Sequence, residues 1–146
     1  MIFLTVSVLA LSFPGCGKKE NTSDRTLRVG IVTYTQDDPF INTMTEQIRE
    51  DLKLKESKDM KILVSVKNGD NDQRDQDELV EEMIAAGCDV LCVNLVDRTA
   101  PSDIIKAARQ EKIPVIFFNR EPVKEDLMQW DQLYYVGCDA KQSGEM

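Results

Sequence analysis

The chain has 146 residues, 42% of them apolar and 30% charged, with a net charge of -8 and no histidine. This length and composition suit one globular domain and exclude global disorder. An acidic chain repels phosphate backbones, which disfavours nucleic-acid binding, and the absence of histidine removes Ser-His-Asp and Cys-His catalysis as well as the commonest transition-metal ligand.

Residues 2–13 (IFLTVSVLALSF) form an apolar run. A membrane-spanning helix needs about 20 such residues, so the run fits the apolar region of a secretory signal instead, although the usual positive start is missing. Phe13-Pro14-Gly15-Cys16 follows it. A small residue before a cysteine, just after an apolar run, resembles the signal of bacterial lipoproteins. That resemblance implies lipidation at Cys16 and a lipid-anchored, periplasmic location. Residues 17–26 are polar and read as a flexible tether.

Beyond the tether, strand and helix patterns alternate. Residues 27–33 (LRVGIVT) are a short β-branched run. Residues 40–54 carry a helical stripe of Phe40, Ile41, Met44, Ile48 and Leu52, preceded by the helix-start sequence Asp37-Asp38-Pro39. Residues 60–66 (MKILVSV) are a second strand, and residues 68–72 a turn or loop. Residues 73–86 place Leu79, Val80, Met83 and Ile84 on one helix face, with Gly87 ending the helix. Residues 90–94 (VLCVN) are a third strand. Residues 100–112 are a third helix, with Pro101 in its first turn and Ile104, Ile105 and Ala108 inward. Residues 114–118 (PVIFF) and 133–136 (LYYV) complete the strands, and a further helix could open at Ser143. Such alternation predicts an α/β fold: an open, mostly parallel sheet with helices on both faces. Cys88 and Cys92 would lie about 13 Å apart in a strand, beyond disulfide reach. Together with Cys138 they read as small buried hydrophobes.

Open α/β sheets bind ligands beyond the carboxyl ends of their strands. The rule selects residues 34–40, 68–72, 94–97 and 119–122. A nucleotide site needs a glycine-rich turn after the first strand, and Asp37-Asp38 there would repel phosphate. Asp37 and Asp38, with Asp70, Asp72 and Asp97, could form a Mg²⁺ site of a metal-dependent enzyme. Helix capping at Asp37 or Asp38 explains the same residues. A third reading is a neutral polyhydroxy ligand, with Asp38 accepting from hydroxyls, Asn94 both donating and accepting, and Phe40 covering the apolar ring face. Composition and spacing alone do not choose among these.

Several motifs in one order do choose. RVGIVTYTQDDPF (28–40), the NDQ…DQ stretch (71–76), LCVNLVD (91–97), IPVIFFNREP (113–122) and YYVGCDAKQSG (134–144) resemble the periplasmic glucose/galactose-binding proteins of bacterial ABC sugar transporters, in the ribose-binding-like group. The resemblance runs from about Arg28 to Met146. It implies a type I periplasmic-binding-protein fold: two α/β lobes joined by crossovers, with sugar held in the cleft, and no enzymatic activity. By that resemblance Asp38 accepts from a sugar hydroxyl, Phe40 stacks on the ring, Asn94 bonds another hydroxyl and Tyr34 lies beside the site. Residues 27–118 would be the amino-terminal lobe. Asn119, Arg120 and Glu121 would be hinge, and residues 119–146 the first crossover and the start of a truncated second lobe, with residues 133–137 lacking a sheet of their own to join. The implied partners are D-glucose or D-galactose and an ABC permease, with chemoreceptor docking by family analogy.

The sequence departs from the family in ending soon after the first lobe. The second-lobe ligands, including the other stacking aromatic, are then absent, and so is the family's Ca²⁺ loop; no cofactor or metal is expected. Trp130 reads as lobe-surface packing. Micromolar sugar binding corresponds to about -8 kcal/mol; half of that leaves about -4 kcal/mol, a millimolar affinity. Two expectations follow: a fragment of a sugar-binding lipoprotein with weak or lost binding, or a stable truncated lobe serving as a structural or interaction lipoprotein. In the latter, exposed lobe surface would favour self-association.

Overall fold

The computed structural model describes residues 25–138. The signal run, Cys16, most of the tether and the helix expected from Ser143 lie outside the described residues. Among the described residues nine elements alternate: β1 (Arg25–Thr33), α1 (Pro39–Leu54), β2 (Met60–Asn68), α2 (Gln73–Ala85), β3 (Val90–Val93), α3 (Ser102–Glu111), β4 (Val115–Phe118), α4 (Lys124–Leu127) and β5 (Leu133–Val136). The five strands form one parallel sheet in the order β2-β1-β3-β4-β5. Arg25 and Thr26 pair with Met60 and Lys61, so β1 begins inside the segment expected to be tether.

The helices divide between the two faces because each connection between parallel strands must cross the sheet with one hand. The chain steps from β1 outward to β2 through α1, then returns past β1 to β3 through α2. That reversal puts α1 on one face and α2 and α3 on the other. Met44, Ile48 and Leu52 of α1 pack against Val29, Ile31 and Ile62. Val80 and Met83 of α2 and Ile104, Ile105 and Ala108 of α3 join Val32, Leu91, Val93, Val115 and Phe117 in the larger core. Trp130 packs at the edge of that core, as its position suggested. Gly87 ends α2 with φ +80, the left-handed region where a side chain is disfavoured. A Cβ at Gly30 would lie 3.0 Å from Leu91 Cδ2 and 3.1 Å from Cys88 Sγ, so this glycine lets β1 seat against the core.

Three expectations are corrected. First, β5 does have a sheet to join: Val115, Ile116, Phe117 and Phe118 pair with Leu133, Tyr134, Tyr135 and Val136. Asn119, Arg120 and Glu121 therefore lead from β4 into α4, and the chain returns to the same lobe rather than crossing out of it. A strand's apolar run does not reveal which sheet it joins. Second, α4 was not foreseen; four residues carry too short a pattern to register. Third, among the described cysteines only Cys88 is buried; Cys92 is partly buried and Cys138 exposed. Burial pushes the Cys92 thiol up to about 11.

Candidate functional site

The sheet order reverses direction at β1, so the crevice beyond the carboxyl ends of β1 and β3 is the topological switch point, where open α/β sheets hold ligands. The loops after β1, β3 and β4 meet there. Asp38 caps α1: its Oδ1 accepts from the main-chain N–H of Phe40 at 2.8 Å and of Ile41 at 3.4 Å. Pro39 follows as the first helical residue, where its missing N–H costs nothing. The Tyr34 hydroxyl donates to the other oxygen, Oδ2, at 2.7 Å. The Tyr34 bond, the two backbone N–H groups and the nearby Arg120 charge hold the Asp38 carboxyl below its ordinary range. The same bond to Asp38 pushes the Tyr34 phenol up, aided by burial and the Asp38 charge, while Arg120 opposes it. A carboxylate offers about four lone-pair sites, so with three bonds accepted Asp38 keeps about one site free.

Arg120 closes the group. Asn119 ends β4 in the left-handed region, at φ 62, a conformation asparagine tolerates. The turn brings the Arg120 guanidinium over the Tyr34 ring, 3.7 Å from its centroid. Its Nη1 donates to Leu95 O at 3.2 Å and Val96 O at 2.9 Å. Arg120 thus ties the loop after β4 to the loops after β3 and β1. Sequence reasoning placed this residue in a hinge and missed the tie, because its partners lie 24 and 25 residues away along the chain. Arg98 Nε adds a second link, donating to Glu121 O at 2.6 Å.

Asn94 sits beneath the rim rather than on it. It is 0% exposed. Its N–H bonds Val32 O at 2.9 Å and its Nδ2 donates to Phe118 O at 3.0 Å, while its buried Oδ1 has no partner among the described residues. Phe40 is the opposite case. It is 60% exposed, so the aromatic at the start of α1 is not part of the core. The structure therefore brings Tyr34, Asp38, Arg120 and the main chain after Asn94 together, with Phe40 adjoining Asp38 and exposed. Asn119 and Glu121 contribute chiefly through their main chains.

Asp72 and Asp97 serve their own loops. Asp72 Oδ1 caps α2, accepting from Arg74 and Asp75 N–H at 2.9 and 3.2 Å. Asp97 Oδ1 accepts from Thr99 N at 2.8 Å and Thr99 Oγ1 at 2.7 Å. Among the described residues no three acidic or cysteine side chains gather where a metal could be held.

The Tyr34–Asp38 bond has a spectroscopic consequence. A phenol whose folded pKa is raised contributes stability that is complete below its ordinary pKa and lost as pH rises through the folded value. In an ultraviolet titration, Tyr34→Phe should remove a late-ionising phenol. An unchanged late phase in that variant would show that the bond does not form in solution.

Residues 29–146 match the family model described as a periplasmic binding protein domain. The chain is 35% identical over 117 residues to the D-galactose/methyl-galactoside binding periplasmic protein MglB of Haemophilus influenzae, covering 80% of this chain and 34% of that protein. Among solved structures, a carbohydrate transporter solute binding protein from Chloroflexus aurantiacus in complex with D-glucose matches with a TM-score of 0.64 and 28% identity, over 82% of this chain and 33% of that one. An ABC transporter solute binding protein from Bacillus halodurans C-125 with bound myo-inositol matches with a TM-score of 0.65 and 26% identity, over 82% of this chain and 38% of that one. The chain spans about a third of the length of these relatives. A match over most of the described lobe, with the parallel sheet and its switch-point crevice, leaves one assignment: the chain belongs to the periplasmic binding protein domain family, a family of ligand-binding proteins and not of enzymes.

Proposed function

We propose that this chain supplies the first lobe of the sugar-binding component of an ABC uptake system, with D-glucose or D-galactose as ligand. The observation that carries the reading is the Asp38 carboxylate. It is kept ionised by Tyr34 and the start of α1, it retains about one free lone-pair site, and exposed Phe40 adjoins it. Ionised carboxylates form the stronger class of hydrogen bond to hydroxyls, and an exposed aromatic face suits the C–H side of a pyranose ring. Asn94 Oδ1 has no partner among the described residues, but Asn94 is 0% exposed, so a ligand hydroxyl would reach it only with movement of the rim above it. The lobe works on the periplasmic side, with Cys16 as the lipid attachment point and an ABC permease as downstream partner. No Ca²⁺ is required by this lobe.

One wall of a cleft retains about half the contacts, so a polypeptide of these 146 residues should bind in the millimolar range. Amide NMR spectra of the chain with tens of millimolar glucose, galactose, ribose or myo-inositol test this. Shifts confined to residues 34–40 and 94–97, larger for glucose or galactose, support the reading. A dispersed spectrum indifferent to all four would overturn it.

A second reading has its own observation. Tyr134 and Val136 of edge strand β5 are 50% and 64% exposed. An apolar edge strand invites pairing with another chain, which would make the lobe an interaction module. Sedimentation of the same samples separates the two: sugar-responsive monomer favours the first, and concentration-dependent dimer without sugar response favours the second.

A further inference from the structure

The stretch at residues 71–76 holds two glutamines that the ligand contacts above leave unused. Gln76 is 0% exposed, in the stripe of α2 that also buries Val80 and Met83. An amide buried there is costly unless both its ends are bonded. Both are, and both bonds reach one short segment. Nε2 donates to Asn94 O at 3.0 Å, and Oε1 accepts from Val96 N at 3.0 Å. One turn earlier Gln73 Oε1 accepts from Asp97 N at 2.8 Å, while its Nε2 donates to Asp77 at 2.8 Å. Residues three apart share a helix face, so the pair addresses consecutive main-chain groups just where the β1–β3 ladder stops at Val32 and Val93. In effect α2 continues the pairing of β3 with side chains in place of a strand.

The surroundings are shaped for this grip. A Cβ on Gly69 would lie 3.1 Å from Gln76 Cβ and 3.0 Å from Thr33 O, so a side chain there would crowd Gln76 against backbone. Asp72 fixes the start of α2 through its two capping bonds. The result is that Asn94 is held three times, through its carbonyl by Gln76, through its Nδ2 by Phe118 O and through its N–H by Val32 O.

From these contacts we propose that Gln76, seconded by Gln73, is a positioning residue that fixes the main chain of residues 94–97 and thereby sets the crevice rim that the ligand meets. The proposal rests on the sugar-site reading only for its ligand consequence. A purely structural role would be served as well by leucine, which has similar size and no polar ends to satisfy. The amide contributes something leucine does not: a fixed register for the loop.

The test uses the full chain as wild type, Gln76→Leu and Val80→Ala, the last being a buried change on the same helix that touches no loop polar group. Hydrogen exchange at the Val96 amide is read against core amides such as Leu91, and sugar affinity is read by NMR titration at a temperature where each variant is folded. Gln76→Leu should speed Val96 exchange about tenfold relative to Leu91 and weaken sugar binding by about the same factor, while Val80→Ala leaves both ratios within about twofold. If Gln76→Leu merely lowers Tm, with relative exchange and affinity like those of Val80→Ala, the residue is core alone and the proposal fails. Should Gln76→Leu not fold, Gln73→Ala read at the Asp97 amide decides in the same way. A wild type without any sugar response would sink the sugar-site reading, while the exchange comparison would still decide the positioning role.

Discussion

Replacing Asp38 by asparagine should leave the lobe nearly as stable as wild type and weaken its response to sugar by about tenfold or more. Asparagine caps helices about as well as aspartate, so the bonds to Phe40 and Ile41 N–H survive. What disappears is the charge, together with the Oδ2 acceptor; the amide nitrogen in its place only donates, so the Tyr34 hydroxyl must turn to accept from it. Hydrogen bonds to ionised groups contribute about 1.5–3 kcal/mol against about 1 kcal/mol for neutral pairs, and each 1.4 kcal/mol is about tenfold in affinity. Asp38→Ala differs in kind. It removes the cap, at about 1 kcal/mol, and strands the Tyr34 hydroxyl, so stability and sugar response fall together. Titration curves for the three proteins, with Tm measured alongside, check this. An Asp38→Asn variant with wild-type affinity would remove the carboxylate from the site. The pH dependence has a defined sign. A lowered folded pKa makes the carboxylate's contribution complete above the ordinary carboxylate range, to be lost only as pH falls through the lowered value. Mild acidification should therefore leave the sugar response intact.

The layers of this lobe were legible because each long element repeats one physical signal. Residues 40–54, 73–86 and 100–112 show apolar stripes at helical spacing, and the strands read as continuous apolar runs because parallel strands are buried on both faces. Elements too short to repeat a signal were not legible, which is why α4 went unseen. Sheet membership was not legible either. Residues 133–136 would be apolar in any sheet, and only the pairing of Phe117 with Tyr135 decides which one.

The site divides in the same way. Asp38 was readable because the chemistry of a helix start is local, spanning Asp38 to Ile41. Arg120 and Gln76 were not, since their partners are main-chain atoms 18 to 25 residues away. One signal did exist for Gln76: a glutamine three residues after another, standing where the stripe of Val80 and Met83 calls for an apolar side chain. A polar residue at a core position requires partners, and that requirement could have directed attention to the loop after β3.

Two phenylalanines, one in the core and one exposed at the start of α1, should give opposite results when replaced by alanine. Phe117 is fully buried at the centre of β4, paired with Val93 on one side and Tyr135 on the other, within the cluster that α2 and α3 cover. Truncating such a ring costs about 3–5 kcal/mol, through lost transfer energy and the cavity that packing fails to close. Domains of this size hold only about 5–15 kcal/mol in total. Phe117→Ala should therefore lower Tm by about 15 °C or more, and leave the lobe at the edge of unfolding at room temperature. Phe40 is 60% exposed on the first turn of α1, and exposed truncations away from core, caps and strained backbone stay within about 0.5 kcal/mol. Phe40→Ala should leave Tm nearly unchanged. If the ring lies against sugar, the same change should flatten the shifts that sugar causes at residues 34–40. Thermal unfolding and sugar titration of both variants separate core from site. A large Tm loss in Phe40→Ala would mean that the ring packs inward in solution. Phe40→Ala with unchanged Tm and an unchanged sugar response would leave Asp38 as the ligand contact of that loop, with binding through its hydrogen bonds and not through ring stacking.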